Sequence, residues 1–326
     1  MEERARSNEV SHMKEGQSGY VAPEPLTKPD VLPLPAGTTN MTAARESLRE
    51  LSCCIVTDVL SPAEIQDLKT KMDAQYEAEQ RLGELCPDRG SSNKIVIPNL
   101  VNKGEHYLDL ITREETEALA SFMLGKNWLL SSLTAHMFTG TTPGEELVHR
   151  DQGQVPASVE FPALLNLFYL LDDFTPERGS TVVFPGSHRW PLEHRVHPPK
   201  PSLGHQVTIP AGSLFAFEGR LWHATGANQS GHRRRALSVF CSAPWLRQQE
   251  NALASTARHV LESSSSQLQA RLGLKTYGTL GNVNGTRVTN QRVAFGSVDV
   301  GLPDYLIGEN AELIPMGRNE ISGDNP

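Results

Sequence analysis

The apolar positions of the chain follow a helical period in its first half and change to short runs in its second half. Residues 1 to about 40 are polar and rich in proline, which is typical of an extended arm. A capping box with proline at the first helical position, Ser61-Pro62-Ala63-Glu64, then predicts the start of a helix. Four apolar residues at helical spacing predict that this helix buries one face. These residues are Ile65, Leu68, Met72 and Tyr76.

A second helix is predicted from Thr112, where Glu115 completes another capping box, to a stop at Gly125. After Gly125 the apolar residues come in short runs that are rich in β-branched and aromatic side chains and are separated by glycine and proline. Regularly spaced runs of this kind predict an all-β sandwich or jelly roll. Together with an earlier short run, the predicted strands are 53–56, 127–139, 163–172, 180–184, 206–209, 213–217 and 235–242.

These patterns divide the chain into an arm, one catalytic-sized domain and a tail. The arm, residues 1–45, is expected to be extended and partly disordered. The domain covers residues 46–275, with a helical part at 46–126 and a jelly-roll core at 127–245. Residues 246–326 form a C-terminal segment that begins as helix and ends in a tail rich in glycine and asparagine.

Composition and charge narrow the class of protein. A chain of 326 residues can bury a core without disulfides or a structural metal, so a bound metal would indicate chemistry. The net charge of −8 disfavours nucleic acid and anionic membrane surfaces as partners. No signal peptide and no run of about 18 apolar residues is present, so we expect a soluble, cytoplasmic protein. The four cysteines are irregularly spaced and are expected to be reduced.

The tripeptide His149-Arg150-Asp151 is the first candidate for chemistry. Residues two apart on an extended segment project to the same side, so His149 and Asp151 would direct an imidazole and a carboxylate to one point. A jelly roll can bring the distant His223 to the same place. Two histidines and one carboxylate form the facial triad of non-haem Fe(II) oxygenases. On the tripeptide alone, the alternative is that His149 is an ordinary surface or core histidine.

The arginine run at 233–235 begins the last predicted strand, ten to twelve residues after His223. On a strand the middle arginine faces opposite to its neighbours, so Arg234 would share the inward side with Ala236 and Ser238. A guanidinium pairs bidentately with a carboxylate, which suits the far end of a dicarboxylic co-substrate. The alternatives are a solvated basic edge strand or a small nucleic-acid patch.

Several further motifs lie between the HxD tripeptide and the distal histidine. Leu171-Asp172-Asp173 ends a strand, a turn closes on Gly179, and Pro185-Gly186-Ser187-His188 forms a second turn. In this order, with an arginine eleven residues after the distal histidine, the sequence resembles the phytanoyl-CoA dioxygenase family of Fe(II)- and 2-oxoglutarate-dependent oxygenases. The resemblance extends from roughly residue 50 to residue 275, and the segment 245–251 is similar to a natural-product-type subgroup.

The resemblance implies a fold, a set of cofactors and a site. The fold is a double-stranded β-helix, a kind of jelly roll, with flanking helices, and the site uses Fe(II), 2-oxoglutarate and O2. The positions that match the iron ligands are His149, Asp151 and His223. Arg234 matches the arginine that binds the distal carboxylate of 2-oxoglutarate.

Four further positions bear on the co-substrate. The resemblance places Thr181 near 2-oxoglutarate, and Asn166 lies on a strand that could line the pocket, although an ordinary polar strand residue is an equal alternative. The same alternatives hold for Lys94. Glu146 stands where the subgroup often has a glutamine in contact with 2-oxoglutarate, and a carboxylate pointing inward would repel that dianion.

The implied reaction is decarboxylation of 2-oxoglutarate to succinate and CO2, coupled to hydroxylation, desaturation or a related oxidation of a small natural-product-like molecule. Asp151 argues against halogenation, because related halogenating enzymes replace this carboxylate by a small residue. Two alternatives stay open, an acyl-CoA 2-hydroxylase of the phytanoyl-CoA type and a non-catalytic jelly-roll binding protein. A homodimer is common among similar enzymes.

Overall fold

The computed structural model of this chain describes residues 18–88, 93–144, 147–282, 305–307 and 313–315. Two β-sheets enclose an apolar layer between them, and helices cover the outer side of the larger sheet. This is the predicted mainly β jelly roll with flanking helices.

The larger sheet has eight strands and the smaller sheet three. The larger sheet contains β1 (Gly37–Thr38), β2 (Cys53–Val56), β3 (Cys86–Pro87), β4 (Lys94–Ile97), β5 (Leu129–Phe138), β6 (Leu164–Leu170), β9 (Leu214–Glu218) and β11 (Arg234–Ser242). The smaller sheet contains β7 (Thr181–Val183), β8 (His205–Gln206) and β10 (His223–Thr225). A separate antiparallel pair is formed by β12 (Tyr305–Ile307) and β13 (Leu313–Pro315).

The strand orders are β1-β2-β9-β6-β11-β5-β4-β3 and β10-β7-β8. Within these two sheets, only the β1–β2 pair is parallel among the pairings that the structure describes. The strands predicted from the sequence correspond to β2, β5, β6, β7, β8, β9 and β11. Strand β10 was not predicted, because His223-Ala224-Thr225 is not a run of β-branched and aromatic residues.

Alternate residues of β11 contribute to two different apolar layers. Leu237 and Val239 pack in the layer between the larger sheet and the helices. Ala236 packs in the layer between the two sheets. Because side chains alternate along a strand, Arg234 and Ser238 share the side of Ala236. We name this side of the larger sheet, which is directed at the smaller sheet, the inner face.

Helices precede and follow the jelly roll. Their bounds are α1 (Met41–Leu51), α2 (Pro62–Leu82), α3 (Glu105–Thr112), α4 (Glu114–Leu124), α5 (Leu192–Arg195), α6 (Ala252–Ser255), α7 (Arg258–Ser263) and α8 (Ser266–Gln269), with a π-helical turn at Ala270–Leu274. The Ser61–Glu64 capping box of α2 is present as predicted, and the predicted apolar face is turned to the core. Helix α1 begins at Met41, before the expected end of the arm, because the Asn40 side chain caps it.

The helix predicted from Thr112 to Gly125 is present as α4, but the predicted cap at Thr112 is wrong. Thr112 ends α3, and Arg113 is extended (φ −59°, ψ 150°) between α3 and α4. The guanidinium of Arg113 donates to Glu64 Oε1 at 2.8 Å and to the Val59 carbonyl at 2.9 Å. These contacts hold the chain between the two helices, so the Thr112 side chain caps nothing. The predicted stop at Gly125, which has φ 85°, is confirmed.

The described part of the arm, residues 18–36, contains no helix or strand but is bonded to the jelly roll. We name it the strap. The Leu26 N–H donates to the Arg189 carbonyl at 2.8 Å. The Arg220 guanidinium, which is buried, donates to the Tyr20 hydroxyl at 2.8 Å. The strap is therefore extended, as expected, but held in place.

Candidate metal centre

Three potential metal ligands meet between the sheets. His149 exchanges two backbone hydrogen bonds with His223, each 2.9 Å long, so the segment before Asp151 lies beside β10. The Nε2 atoms of His149 and His223 lie 3.8 Å and 3.6 Å from Asp151 Oδ1. One ligand atom from each side chain lies within 4.8 Å of the other two, which is close enough for a single ion to bind all three.

The hydrogen bond of His223 orients its ring as a metal ligand requires. Its Nδ1 lies 3.0 Å from the Leu221 carbonyl oxygen, and a carbonyl oxygen can only accept. Nδ1 therefore carries the proton, and the lone pair of Nε2 is available on the side of Asp151. Two imidazoles and one carboxylate are the donor set of non-haem Fe(II) sites, so these residues fit an iron ion.

Asn166 lies behind Asp151 on the inner face. Its Nδ2 lies 3.4 Å from Asp151 Oδ2, and its Oδ1 accepts a hydrogen bond of 2.7 Å from the Ser238 hydroxyl. Because the hydroxyl donates to Oδ1, the amide nitrogen is directed at the carboxylate. Asn166 thus contacts a candidate ligand, and its role in binding the co-substrate stays a prediction.

Arg234 lies at the opposite end of the inner face and is 7% exposed. Its guanidinium carbon lies 3.8 Å from the ring centroid of Phe138 and 4.4 Å from that of Phe174. One Nη also donates to the Gly179 carbonyl. Two ring faces attract the cation and restrict its orientation. The structure therefore directs Arg234 inward, as its position in the strand predicts.

The two neighbouring arginines face the other way. Arg233 and Arg235 bind the carboxylate of Asp73 on α2 at 3.1 Å and 2.7 Å. Arg235 also binds Asp172 at 2.8 Å. The arginine run is therefore not a solvated basic edge, since its outer members form ion pairs with buried or half-buried carboxylates.

A lysine and two threonines lie near the arginine end. Thr181 is the register partner of Thr225, which follows His223 by two residues. Lys94 Nζ donates to Thr225 Oγ1 at 3.3 Å and pairs with Asp88 at 2.6 Å. Thr225 was not predicted from the sequence, although it lies two residues after a candidate ligand on one strand, which places both side chains on the same side.

Lys94 and Arg234 belong to the same end of the inner face, because both are register partners of Phe138 on β5. Lys94 is already paired with Asp88 at 2.6 Å, so the cation that favours a bound carboxylate at this end is chiefly Arg234. We name this the cation end, and the opposite end with Asn166 the metal end.

His136 lies between the two ends and was also missed in the sequence. It is the register partner of Ala236, its Nε2 lies 3.1 Å from Thr134 Oγ1, and its ring centroid lies 5.2 Å from that of Phe168. Burial, together with the nearby Lys94 cation, lowers the pKa of His136 from 6.5 to about 4. His136 is therefore neutral near pH 7.

A cavity of about 590 Å³ lies outside this pocket, between the segment after β11 and the C-terminal helical turns. Trp245, Arg247, Lys275 and Tyr277 are among its lining residues, and none of the three candidate ligands is. The candidate metal centre is therefore identified by its three ligand side chains and not by the volume of a cavity.

The phytanoyl-CoA dioxygenase (PhyH) family matches residues 53–236 of the chain. The chain belongs to this family. Dioxygenase af480 of Aspergillus fumigatus is 30% identical over 251 residues, which cover 74% of this chain and 79% of that protein. Dioxygenase trt7 of Aspergillus terreus is 28% identical over 228 residues, which cover 62% of this chain and 73% of that protein.

A solved structure supports the fold. AviO1 from Streptomyces viridochromogenes superimposes with a TM-score of 0.51 and 24% identity, over 64% of this chain and 98% of that chain. Family membership and the two-histidine, one-carboxylate set make this PhyH member an Fe(II)- and 2-oxoglutarate-dependent dioxygenase. Among the helices that the structure describes, none has the length and apolar run needed to cross a bilayer. Glu146 lies outside the described residues.

Proposed function

We propose that this dioxygenase oxidises a C–H bond of a small organic molecule in natural-product biosynthesis, by hydroxylation, desaturation or a related oxidation. The observation that carries the proposal is the convergence of His149, Asp151 and His223 within 4.8 Å on a PhyH scaffold. Bound iron, with 2-oxoglutarate and O2, supplies the oxidising chemistry. The similarity of residues 245–251 to a natural-product-type subgroup supports the substrate class.

Each end of the pocket has a proposed role. His149, Asp151 and His223 hold the iron at the metal end. Arg234 pairs with the distal carboxylate of 2-oxoglutarate at the cation end, where its ring contacts fix the guanidinium for a bidentate hydrogen bond. Thr181 lies beside that carboxylate, and the rest of the protein excludes water and places the substrate C–H bond.

Acyl-CoA 2-hydroxylation is the second candidate, and one observation favours it. Four cationic side chains and no carboxylate line the cavity beside the segment after β11, which suits the phosphates of coenzyme A. They are Lys126, Arg247, Arg271 and Lys275. Two of them are already engaged, since Arg271 binds Glu117 at 2.6 Å and Lys275 donates to Asn127 at 3.1 Å. Turnover that requires the thioester would establish this candidate.

The test of the proposed function is an anaerobic optical titration of the Fe(II)-loaded protein with 2-oxoglutarate. We expect a visible metal-to-ligand charge-transfer band in the wild type and none in His149→Ala. Arg233→Ala, which changes an outward side chain, is the matched control and should keep the band. Absence of the band in the wild type at saturating iron and 2-oxoglutarate would leave the non-catalytic binding protein as the better account.

The proposal includes a cytoplasmic location and a homodimer. Cell fractionation tests the location, and light scattering at micromolar concentration tests the dimer.

A further inference from the structure

Arg150 lies between two candidate metal ligands in the chain, but its side chain is on the other side of the segment. Its guanidinium carbon lies 4.9 Å from the ring centroid of Trp222, the residue before the third candidate ligand. The Nε of Arg150 is buried and has no hydrogen-bond partner among the described residues. The indole ring is therefore a principal contact of this guanidinium.

The backbone register explains why these two side chains meet. His149 and His223 exchange both backbone hydrogen bonds, each 2.9 Å long, in an antiparallel bridge. The next two residues opposite each other are then Arg150 and Trp222, which form a pair without backbone hydrogen bonds. Side chains of such a pair approach more closely than those of a hydrogen-bonded pair. They also project to the side opposite the two histidines.

Trp222 is a fixed surface for this contact. It is 5% exposed, and its indole packs in an apolar cluster with Val148, Phe184 and Trp190. Its backbone N–H donates to the Ser187 hydroxyl at 3.0 Å, and its carbonyl accepts from the Phe184 N–H at 3.0 Å. Because the ring is held on all these sides, its contact with Arg150 restricts the arginine and the segment that carries it.

Few backbone hydrogen bonds hold the segment of Arg150. Besides the His149–His223 bridge, the Gln152 N–H donates to the Gly219 carbonyl at 2.8 Å. A cation over a buried indole is among the stronger cation–π arrangements, because tryptophan has the most attractive ring and water is excluded. In a segment with so few backbone bonds, this contact is a large part of what fixes its position.

We propose that Arg150 is a positioning residue for the metal centre. Its contact with Trp222, which we name the clamp, holds the ligand segment on both sides of Arg150 against β10. This inference rests on the ligand assignment in the proposed function. With the clamp in place, less of the free energy of metal binding is spent on ordering the ligands, so the ion binds more tightly.

The direction of the effect separates the clamp from charge repulsion. Arg150 is adjacent in the chain to His149 and Asp151, so its positive charge repels a bound dication. Removal of that charge would by itself strengthen metal binding, whereas loss of the clamp weakens it. Arg150→Met removes the charge and keeps much of the side-chain volume, so the two accounts predict opposite results for this variant.

The test is an optical titration of the metal-free protein with Co(II), whose visible bands report binding. We expect an affinity on the order of fivefold weaker in Arg150→Met. Arg150→Lys keeps a cation that can lie over the indole, and its affinity should fall between those of the wild type and Arg150→Met. Arg233→Met is the matched control, because Arg233 is an outward arginine 5.7 Å from the Tyr76 ring centroid, and it should bind Co(II) like the wild type. Equal or tighter binding in Arg150→Met would overturn the clamp.

A double-mutant cycle tests whether the effect passes through the indole. Trp222→Phe keeps an aromatic ring with a weaker attraction for cations, so in this background Arg150→Met should weaken Co(II) binding only about twofold. The same fivefold loss in both backgrounds would place the effect of Arg150 elsewhere. Urea unfolding of the metal-free variants supplies a further readout. A lower free energy of unfolding in Arg150→Met with wild-type Co(II) affinity would show a merely structural arginine.

Asp151→Ala distinguishes failure of the clamp from failure of the ligand assignment. Co(II) bands that are the same in the wild type and in Asp151→Ala would refute the assignment, and the proposed function with it. Bands that depend on Asp151, with equal affinity in the wild type and Arg150→Met, would refute only the clamp.

Discussion

The metal end and the cation end of the pocket are built in different ways. The candidate iron ligands lie on a short strand and on a segment joined to it by two backbone hydrogen bonds. Arg234 and Lys94 lie on strands of the larger sheet, and Arg234 is additionally held between two rings. A metal ion draws its own ligands together, so weakly paired segments suffice at one end. A flexible dicarboxylate does not draw its binding residues together in this way. Arg234, at the other end, is therefore oriented by its packing against the two rings.

The largest expected effect is at the metal end. Asp151→Ala removes the oxygen donor that lies between the two imidazoles, and we expect Fe(II) or Mn(II) affinity to fall more than about 100-fold, beyond the usual cost of losing an outer-shell partner. Calorimetric titration measures it. Asp67→Asn, on the exposed side of α2, is the control, and equal affinity in both variants would contradict the ligand assignment.

The next effect is confined to the cation end. Arg234→Met removes the charge and keeps much of the side-chain volume, so the affinity of the iron-loaded protein for 2-oxoglutarate should fall on the order of 100-fold. Metal affinity should not change. The matched change at the outward Arg233, Arg233→Met, should alter neither constant. A loss of metal affinity in Arg234→Met would show that the two ends are not separate.

A smaller effect decides to which end Asn166 belongs. If its amide serves to orient Asp151, Asn166→Leu should weaken metal binding about tenfold, and Ser238→Ala should weaken it less. The 2-oxoglutarate affinity of the metal-saturated protein should then stay constant. The opposite pattern, a loss confined to 2-oxoglutarate, would support the prediction that Asn166 binds the co-substrate.

The smallest effect is a pH dependence from His136. Because its pKa is about 4 in the folded chain and near 6.5 when exposed, the unfolded state binds the proton more readily. The stability that neutral His136 contributes is fully present above pH 6.5 and declines as the pH falls toward 4. We therefore expect the free energy of urea unfolding of the metal-free wild type to fall, relative to that of His136→Gln, as the pH is lowered from 6.5 to 4. A constant difference would mean that His136 is not shielded.

The parts of the fold that could be predicted from the sequence are those set by local pattern. The long β5, β6 and β11 show many alternations, and the capping box of α2 contains all its partners within four residues. The predicted cap at Thr112 is wrong, since Arg113 occupies that boundary and contacts Glu64, which lies 49 residues earlier in the chain. No local pattern contains that contact.

The candidate site also contains residues that could be predicted from the sequence and residues that could not. His149 and Asp151 share a tripeptide, and the strand alternation of Arg234 follows from its neighbours, so these positions were recognisable. Lys94 and His136 are single polar residues on strands, where a ligand-binding residue and an ordinary one look alike. Only the register of the larger sheet shows that both are directed at the pocket.

The strap has a consequence for folding of the chain during its translation. Tyr20 is translated 200 residues before Arg220, the side chain that holds it. A contact across so long a loop forms only after the intervening chain is made and folded. On a ribosome-bound chain that stops short of Arg220, the segment around Tyr20 is therefore open to protease, and it becomes protected when the second half of the jelly roll is complete. Protease resistance of this segment therefore shows that the jelly roll has finished folding.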